Sequence, residues 1–368
     1  MNNLVNLINF GQSYWLDNIS RDKLKNGELK RRVEEEGLRG VTSNPSIFYN
    51  AISGSVSYDE QILELVKENK TTPEIYEELA VKDVQDACDI MKPVFDSSNG
   101  LDGYVSIEVS PYLANDTEGT MIEARRLFAK VNRPNCLVKI PGTPAGIPAI
   151  EQMLYEGINI NVTLLFSITG YEAVAHAYIN ALKKRDSEGK SIEGVASVAS
   201  FFLSRIDVLT DKLLKQLTVE DISNNVKELL GETAIANAKL AYQSFKKIFS
   251  GAEWDKLEKK GARVQRPLWA STGTKDPLSS KVKYVNPLIG KDTVTTLPDE
   301  TIKAFRDIGV VEENAIEKDI DKAKDVMNKI NKIGIDFDSV TDQLLKEGVQ
   351  KFIDSYDALM KCINKKNK

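Results

Sequence analysis

YVSIEVSPYLANDTEGTMIEARRLFAKVNRPNCLVKI, residues 104–140, contains a strand, a helix and a second strand in that order. Residues 104–109 (YVSIEV) and 136–140 (CLVKI) are short apolar runs rich in β-branched side chains, which is typical of strands. Residues 117–130 between them have the apolar spacing of an amphipathic helix. A helix of this length can cross back over a sheet, so the two strands are predicted to lie parallel, as in a βαβ unit.

The same alternation of strand and helix patterns continues along the chain. Long helical patterns occupy residues 72–91, 117–130, 171–184 and 233–249. We predict eight strands, at residues 12–17, 38–42, 104–109, 136–140, 158–165, 194–199, 264–270 and 282–286. Eight βα units favour an α/β fold in which the strands close into a (β/α)8 barrel of the TIM type.

The last 70 or so residues contain helical patterns and no further strand. Three helices are predicted there, at residues 299–307, 314–332 and 337–367. No Pro/Gly/Ser-rich linker, composition break or internal repeat divides the chain. We therefore expect one domain over residues 1–368, with the barrel at about 10–298 and a C-terminal helical extension packed on it at about 299–368.

Composition limits the kinds of partner that the protein can have. The chain has 368 residues, with 49 Lys and Arg against 54 Asp and Glu, which gives a net charge of −5. This balance argues against a nucleic-acid partner, because nucleic-acid binding requires an excess of positive charge. Any anionic ligand would have to be bound by local cations.

The cysteines and the single histidine exclude several kinds of site. Cys88, Cys136 and Cys362 are far apart, so we expect free thiols in a reducing compartment. One histidine, His176, is too few for a two-imidazole metal site, and its helical context suggests a packed helix residue. No run of about 18 apolar residues and no secretion signal is present, so a cytoplasmic protein without a membrane partner is expected.

Lys139 is the most unusual residue of the predicted strands. A parallel strand covered by helices should be apolar throughout, and Lys139 lies within CLVKIP (residues 136–141). Active sites of such barrels lie at the carboxyl ends of the strands. Burial disfavours the ammonium form of an amine, and the neutral amine is the nucleophile of Schiff-base chemistry. The alternative is a lysine at a strand end whose ammonium group reaches solvent.

Other polar residues stand at or near the ends of the neighbouring strands. Glu108 lies between Ile107 and Val109, where an unpaired carboxylate would be costly to bury. Asp17 follows the first strand, and it could instead be a helix N-cap. The remaining candidates are Asn44, which could be a turn residue, and Asn161 and Thr163, which could be ordinary strand residues.

Ser200 and Arg205 follow the sixth predicted strand in SFFLSRID (residues 200–207). A hydroxyl, a guanidinium and the backbone N–H groups at a helix start suit a phosphate group. The alternative for Arg205 is a salt bridge to Asp207 or Asp211.

Ser271 and Lys275 follow the seventh predicted strand in WASTGTKDP (residues 269–277). Gly273 between them permits a close turn of the backbone. Loops at this place in TIM-type barrels recurrently bind phosphate, so these two residues are further candidates.

Six motifs in this order resemble the transaldolase family. They are LDNISR (16–21), TSNPSIF (42–48), VSIEVSP (105–111), VKIPGT (138–143), NVTLLFS (161–167) and SFFLSRID (200–207). Any one of them is weak evidence, whereas six on consecutive strands are specific. The resemblance extends over about residues 11–286 and is strongest to the longer bacterial branch.

The resemblance implies an α/β barrel and a set of site residues. By position, the implied catalytic residues are Lys139, as the Schiff-base lysine, with Asp17, Glu108 and Thr163. The implied substrate-binding residues are Asn44, Asn161, Ser200 and Arg205, with Ser271 and Lys275 at the distal phosphate. The shorter branch of the family has an arginine directly after the seventh strand, where this chain has WASTGTK.

The resemblance also implies a reaction. A dihydroxyacetone unit passes from sedoheptulose 7-phosphate or fructose 6-phosphate to glyceraldehyde 3-phosphate or erythrose 4-phosphate, in the non-oxidative pentose phosphate pathway. Sugar phosphates are the implied partners, and no metal or cofactor is implied. Two alternatives stay open from the sequence: a class I aldolase that releases dihydroxyacetone, and a non-catalytic barrel that binds sugar phosphates or proteins.

Overall fold

The computed structural model describes residues 2–217 and 223–366, and within these ranges eight parallel strands form a closed barrel. The strands are β1 Gln12–Leu16, β2 Gly40–Val41, β3 Tyr104–Glu108, β4 Cys136–Pro141, β5 Ile160–Leu165, β6 Ser197–Phe202, β7 Arg266–Ala270 and β8 Thr293–Leu297. Each strand pairs with the next along the chain, and β8 pairs with β1. The predicted α/β barrel is confirmed.

Helices connect the strands and surround the barrel. They are α1 Asn3–Asn9, α2 Arg21–Lys25, α3 Glu28–Glu36, α4 Pro45–Ser53, α5 Asp59–Lys67, α6 Thr72–Ser97, α7 Thr117–Val131, α8 Gly146–Glu156, α9 Ile168–Ser187, α10 Ser204–Gln216, α11 Ser223–Leu229, α12 Thr233–Ile248, α13 Ala252–Glu258, α14 Asp299–Ile308, α15 Ile320–Lys332 and α16 Phe337–Lys366. The helical patterns at 72–91, 117–130, 171–184 and 233–249 correspond to α6, α7, α9 and α12. None of the helices in the described part of the chain has both the length and the apolar character that a membrane span requires.

The prediction of the eighth strand is wrong. Residues 282–286 form turns that lead into a 3₁₀ turn at Asn286–Leu288, and β8 lies later in the chain. The alternation in VKYVN resembles a strand, but Pro287 follows it and cannot donate to a ladder. The true strand, TVTTL, has few apolar residues and is nevertheless buried throughout. Thr293 Oγ1 donates to Gly290 O, and Thr296 Oγ1 lies 3.1 Å from Thr42 Oγ1.

The sixth strand begins three residues later than the predicted start at residue 194 and extends to Phe202. Gly194 has a left-handed backbone (φ +81°), which does not fit a strand. Ser200 therefore lies within β6 rather than after it.

Three C-terminal helices are present, but the second, predicted over residues 314–332, begins only at Ile320, after a separate 3₁₀ turn at Ala315–Glu317. α14 directly follows β8, and α15 packs against α12. The final helix, α16, contacts α4, α6, α10 and β5. Since α4 and α10 follow the carboxyl ends of β2 and β6, α16 lies across that end of the barrel.

The cysteines and the histidine are placed as follows. Cys88, Cys136 and Cys362 are free thiols, as expected, and the first two are buried. His176 is a residue of α9 but is exposed, so the expectation that it is packed is wrong.

A buried ion pair lies at the opposite end of the barrel, where the strands begin. Arg266 at the start of β7 lies 2.8 Å from Asp102, and its second nitrogen donates to Ser13 Oγ of β1 at 2.9 Å. Ser13 in turn donates to Asp102 at 2.8 Å. The network connects two strands and the loop before β3, which is a stabilising role typical of this end of a barrel.

We predict that Asp102→Ala lowers the free energy of unfolding by about 3–5 kcal/mol, because it leaves the Arg266 cation buried and unpaired. The matched control is Asp96→Ala, which removes an exposed carboxylate paired with Lys92 at 2.6 Å. That change should lower the free energy of unfolding by about 0–1 kcal/mol. Urea denaturation of the two variants measures the difference, and equal losses would contradict the assigned role of Asp102.

Candidate active site

The pairing of β3, β4 and β5 brings three polar side chains together inside the barrel. Glu108 is in register with Lys139, and Lys139 is in register with Asn161. Lys139 Nζ lies 3.8 Å from Glu108 Oε2, and the two side chains are only 5% and 4% exposed. The structure therefore buries the lysine rather than extending its amine to solvent.

Lys139 has two further contacts. Its Nζ donates to the backbone oxygen of Ser43 at 3.2 Å, in the loop after β2. The ring of Phe352, on α16, has its centroid 5.8 Å from the same nitrogen. The amine is thus held in place by an acceptor on one side and an apolar ring on another.

The carboxyl group of Glu108 is an acid–base group suited to neutral pH. Burial raises the pKa of Glu108 to about 7, and the neighbouring Lys139 opposes this rise. Within the described residues, Glu108 Oε2 is buried without a hydrogen-bond partner. A carboxyl group with a pKa near the working pH can both give and accept a proton.

Asp17 lies directly after β1, where its backbone N–H donates to Leu297 O of β8 at 2.9 Å. Its carboxylate accepts a hydrogen bond of 2.8 Å from Thr42 Oγ1, and Thr42 also lies 3.1 Å from Thr296 Oγ1. The N-cap of α2 is Ser20, so Asp17 is not a cap. Its carboxylate is oriented by hydroxyl groups at the barrel mouth.

Asn161 is fixed by serines on both sides. Its Nδ2 donates to Ser106 Oγ of β3 at 3.0 Å, and its Oδ1 accepts from Ser200 Oγ of β6 at 2.7 Å. Thr163 lies two residues further along β5, and its buried Oγ1 has no hydrogen-bond partner among the described residues. Asn161 and Thr163 are therefore both part of the barrel interior, and the Thr163 hydroxyl is available for a ligand or water.

Asn44 is a helix N-cap as well as a candidate site residue. Its side chain accepts a hydrogen bond of 3.0 Å from the N–H of Ile47 in the first turn of α4. Asn44 also faces a cavity at the barrel mouth. The structure thus makes Asn44 a helix N-cap rather than a turn residue, and this role fixes the side chain while leaving it at the cavity.

The cavity at the barrel mouth has a volume of about 360 Å³. Glu108, Asn161 and Thr163 lie beyond its lining. The predicted site residues that line it are Asp17, Asn44, Lys139, Ser200, Arg205, Ser271 and Lys275. Lys139 and the phosphate candidates thus face one space. Glu108 borders a separate cavity of about 570 Å³ between α6 and α7.

Arg205, near the start of α10, does not form the salt bridges considered from the sequence. Asp207 pairs with Lys283 at 2.8 Å, and Asp211 accepts from the N–H of Gly231 at 2.8 Å. Both carboxylates are therefore occupied elsewhere.

The guanidinium of Arg205 is a largely buried cation. Its Cζ lies 5.2 Å from the ring centroid of Phe202, and its buried Nη1 has no hydrogen-bond partner in the part of the chain that the structure describes. Burial lowers the pKa of Arg205, since it penalises the charged form. An anion in the cavity would satisfy this group.

Ser271 and Lys275 follow β7 on the other side of the cavity. Ser271 has a left-handed backbone (φ +56°), and its Oγ lies 2.8 Å from Ser204 Oγ at the start of α10. Lys275 forms no ion pair with the residues in 2–217 and 223–366. Together with Arg205, it gives the cavity positive charge that no carboxylate of the described residues neutralises by a direct ion pair.

Several contacts of this site were not predicted. Phe202 lies two residues after Ser200, so the alternation of β6 could have identified it. Phe352 had no such local signal, because it is one of several apolar residues on a long helix. No group of three or more His, Cys, Asp or Glu suited to a metal is present among the described residues.

Comparison with known proteins agrees with this geometry. Residues 14–363 match the family model described as "Transaldolase/Fructose-6-phosphate aldolase". A transaldolase of Trichodesmium erythraeum is 48% identical, over 100% of this chain and 98% of its own length. A transaldolase 2 of Nostoc sp. is 49% identical with the same coverage, and a transaldolase of Thiobacillus denitrificans is 46% identical over 98% of this chain and 99% of its own. The chain belongs to the transaldolase/fructose-6-phosphate aldolase family.

Proposed function

We propose that the protein is a transaldolase that carries a dihydroxyacetone unit as a Schiff base on Lys139. The observation that supports this most directly is the amine of Lys139, buried 3.8 Å from Glu108 and facing a cavity that is lined by unpaired cations. The proposed donors are sedoheptulose 7-phosphate and fructose 6-phosphate. The proposed acceptors are glyceraldehyde 3-phosphate and erythrose 4-phosphate, as in the non-oxidative pentose phosphate pathway.

The first step forms the imine. The neutral amine of Lys139 attacks the C2 ketone of the donor and forms a carbinolamine. Glu108, whose pKa lies near 7, donates a proton to the departing hydroxyl group, which leaves as water. The free hydroxyl of Thr163 is suited to hold that water. The protonated imine then serves as the electron acceptor, so this scheme uses no metal Lewis acid.

The second step breaks the C3–C4 bond. Asp17 removes the proton of the C4 hydroxyl, the C4 oxygen forms a carbonyl, and the bonding electrons pass to the imine to give an enamine. The first aldose phosphate leaves. Thr42 holds the Asp17 carboxylate by a hydrogen bond of 2.8 Å, which keeps its lone pairs directed to the site.

The three-carbon enamine stays bound until an acceptor aldehyde arrives. Asn44 and Asn161 are proposed to bind its hydroxyl groups. The oxygen of each amide is already used, by Ile47 N–H and by Ser200 Oγ. One N–H of Asn161 donates to Ser106 Oγ, so its second N–H and the amide N–H groups of Asn44 are the donors proposed for the substrate. The steps then reverse with the acceptor and give the new ketose phosphate.

The phosphate group is proposed to bind at the other end of the cavity. Arg205 supplies a desolvated guanidinium, and Ser271 and Lys275 supply donors from the loop after β7. Ser200 lines the same space from β6. Arg205 and Lys275 are proposed to offset the negative charge of the phosphate group locally, although the whole chain has a net charge of −5.

Borohydride reduction in the presence of fructose 6-phosphate should attach a three-carbon adduct to the peptide that contains Lys139. Lys139→Ala should abolish both labelling and turnover, because Lys275, the other lysine that lines the cavity, lies in the loop after β7 at the proposed phosphate end. Lys239→Ala is the control: Lys239 is also buried but donates to backbone oxygens of Ala315 and Lys318 outside the barrel interior. Mass spectrometry that locates the adduct elsewhere would refute the mechanism.

The rate of imine formation should fall as pH rises past about 7, where Glu108 loses the proton that it donates. The Glu108→Gln variant should form the imine slowly. Its rate should not fall above pH 7 as the wild-type rate does, since an amide does not titrate. Single-turnover trapping with borohydride between pH 5.5 and 9 measures both profiles. Identical pH dependence in the two proteins would exclude Glu108 as the donor.

Arg205→Ala should lower kcat/KM for fructose 6-phosphate on the order of 10- to 100-fold, the effect of losing a hydrogen bond to a charged group. Unphosphorylated fructose as donor should be affected much less. Lys212→Ala, which removes an exposed cation of the same helix, is the control. Equal losses with both donors would show that Arg205 does not bind the phosphate.

The family description also names fructose-6-phosphate aldolase. A class I aldolase would release dihydroxyacetone rather than transfer it. Measuring free dihydroxyacetone against transferred product, with and without acceptor, separates the two activities. A large excess of transferred product over free dihydroxyacetone would support the proposed function. Release of dihydroxyacetone at the same rate with and without acceptor would favour an aldolase.

A further inference from the structure

The C-terminal helix α16 contributes one side chain to the substrate cavity. Phe352 is 4% exposed and lines the cavity beside Lys139 and Arg205. Its ring centroid lies 5.8 Å from Lys139 Nζ and 5.9 Å from Arg205 Cζ. The ring therefore covers the side of the cavity between the reactive amine and the phosphate end, and the proposed catalytic steps assign it no role.

Close packing holds α16 in this place. A Cβ atom at Gly348, one turn before Phe352, would lie 2.9 Å from Leu164 Cδ2 and 3.4 Å from the guanidinium of Arg205. Leu164 has a left-handed backbone (φ +60°) at an irregularity of β5, directly after Thr163. Because only glycine lacks a Cβ, the helix approaches the barrel more closely here than another residue would allow.

Transfer requires that the enamine survive until the acceptor arrives. In the competing reaction, the enamine carbon takes a proton and the iminium re-forms. Water then adds at C2, and the carbon–nitrogen bond breaks. One water is consumed, and dihydroxyacetone and the free amine of Lys139 are released. Access of water to the covalent intermediate therefore decides between transfer and loss.

We propose that Phe352 is the specificity-determining residue that keeps water from the Lys139-bound intermediate and thereby favours transfer over hydrolytic release. This inference rests on the proposed function. An aromatic ring in this position displaces water from the side of the cavity nearest the imine, at low cost in conformational entropy. Asn44, Asp17 and Lys275 line the same cavity, and we place the approach of the acceptor aldehyde on their side.

The test uses the full-length protein with fructose 6-phosphate as donor and erythrose 4-phosphate as acceptor, and measures released dihydroxyacetone and transferred product in the same sample. The ratio of release to transfer is independent of the fraction of folded enzyme. Phe352→Ala should raise this ratio about tenfold, as a barrier change of about 1.4 kcal/mol would. Phe352→Leu keeps most of the apolar volume and should stay within about twofold of the wild type.

The control is Tyr356→Ala, which removes a ring one turn further along α16. Tyr356 packs against Tyr76 and Tyr112 and borders the other cavity, so its loss should leave the ratio unchanged. An unchanged ratio in Phe352→Ala would overturn the proposal, and so would a rise in Phe352→Leu as large as that in Phe352→Ala. Wild-type protein that forms no Lys139 adduct would instead refute the proposed function itself.

Discussion

The burial of the Lys139 amine opposite Glu108 is the constraint on which the rest of the site depends. A buried amine and a buried carboxyl group each need a polar partner in an apolar interior, and here their nearest atoms lie 3.8 Å apart. The register of β3 with β4 creates this pair, and the register of β4 with β5 adds Asn161. A slip of one residue would turn Lys139 toward the helices, so the chemistry follows directly from strand pairing.

The sequence alone identified those site residues whose polar side chains are unusual in an apolar strand. Lys139 and Glu108 stand out because a polar group in an apolar parallel strand needs an explanation. β8 was not predicted for the opposite reason: its threonines look polar in the sequence but are buried in the structure. Phe352 was beyond prediction, since an apolar residue on an amphipathic helix indicates burial but not which surface it covers. The partners of Asn161 required the three-dimensional pairing of β3, β5 and β6.

The two ends of the barrel use charge differently. At the end where the strands begin, Arg266 is paired with Asp102 and Ser13, and the cation is fully satisfied. At the other end, Arg205 is largely buried without an ion pair among the described residues. The first arrangement stabilises the fold. The second leaves a desolvated cation, an arrangement that favours binding of an anion.

The pairing of β1 with β8 has a consequence for how the chain is made. Gln12 contacts Thr293 across a sequence separation of 281 residues, so β1 emerges from the ribosome long before its closing partner. Until then, β1 presents an open strand edge, which is prone to pairing with other chains. Contacts this distant in sequence also slow folding. Phe352 is synthesised later still. The last strand of the barrel is therefore made before the helix α16, whose Phe352 lines the cavity beside Lys139.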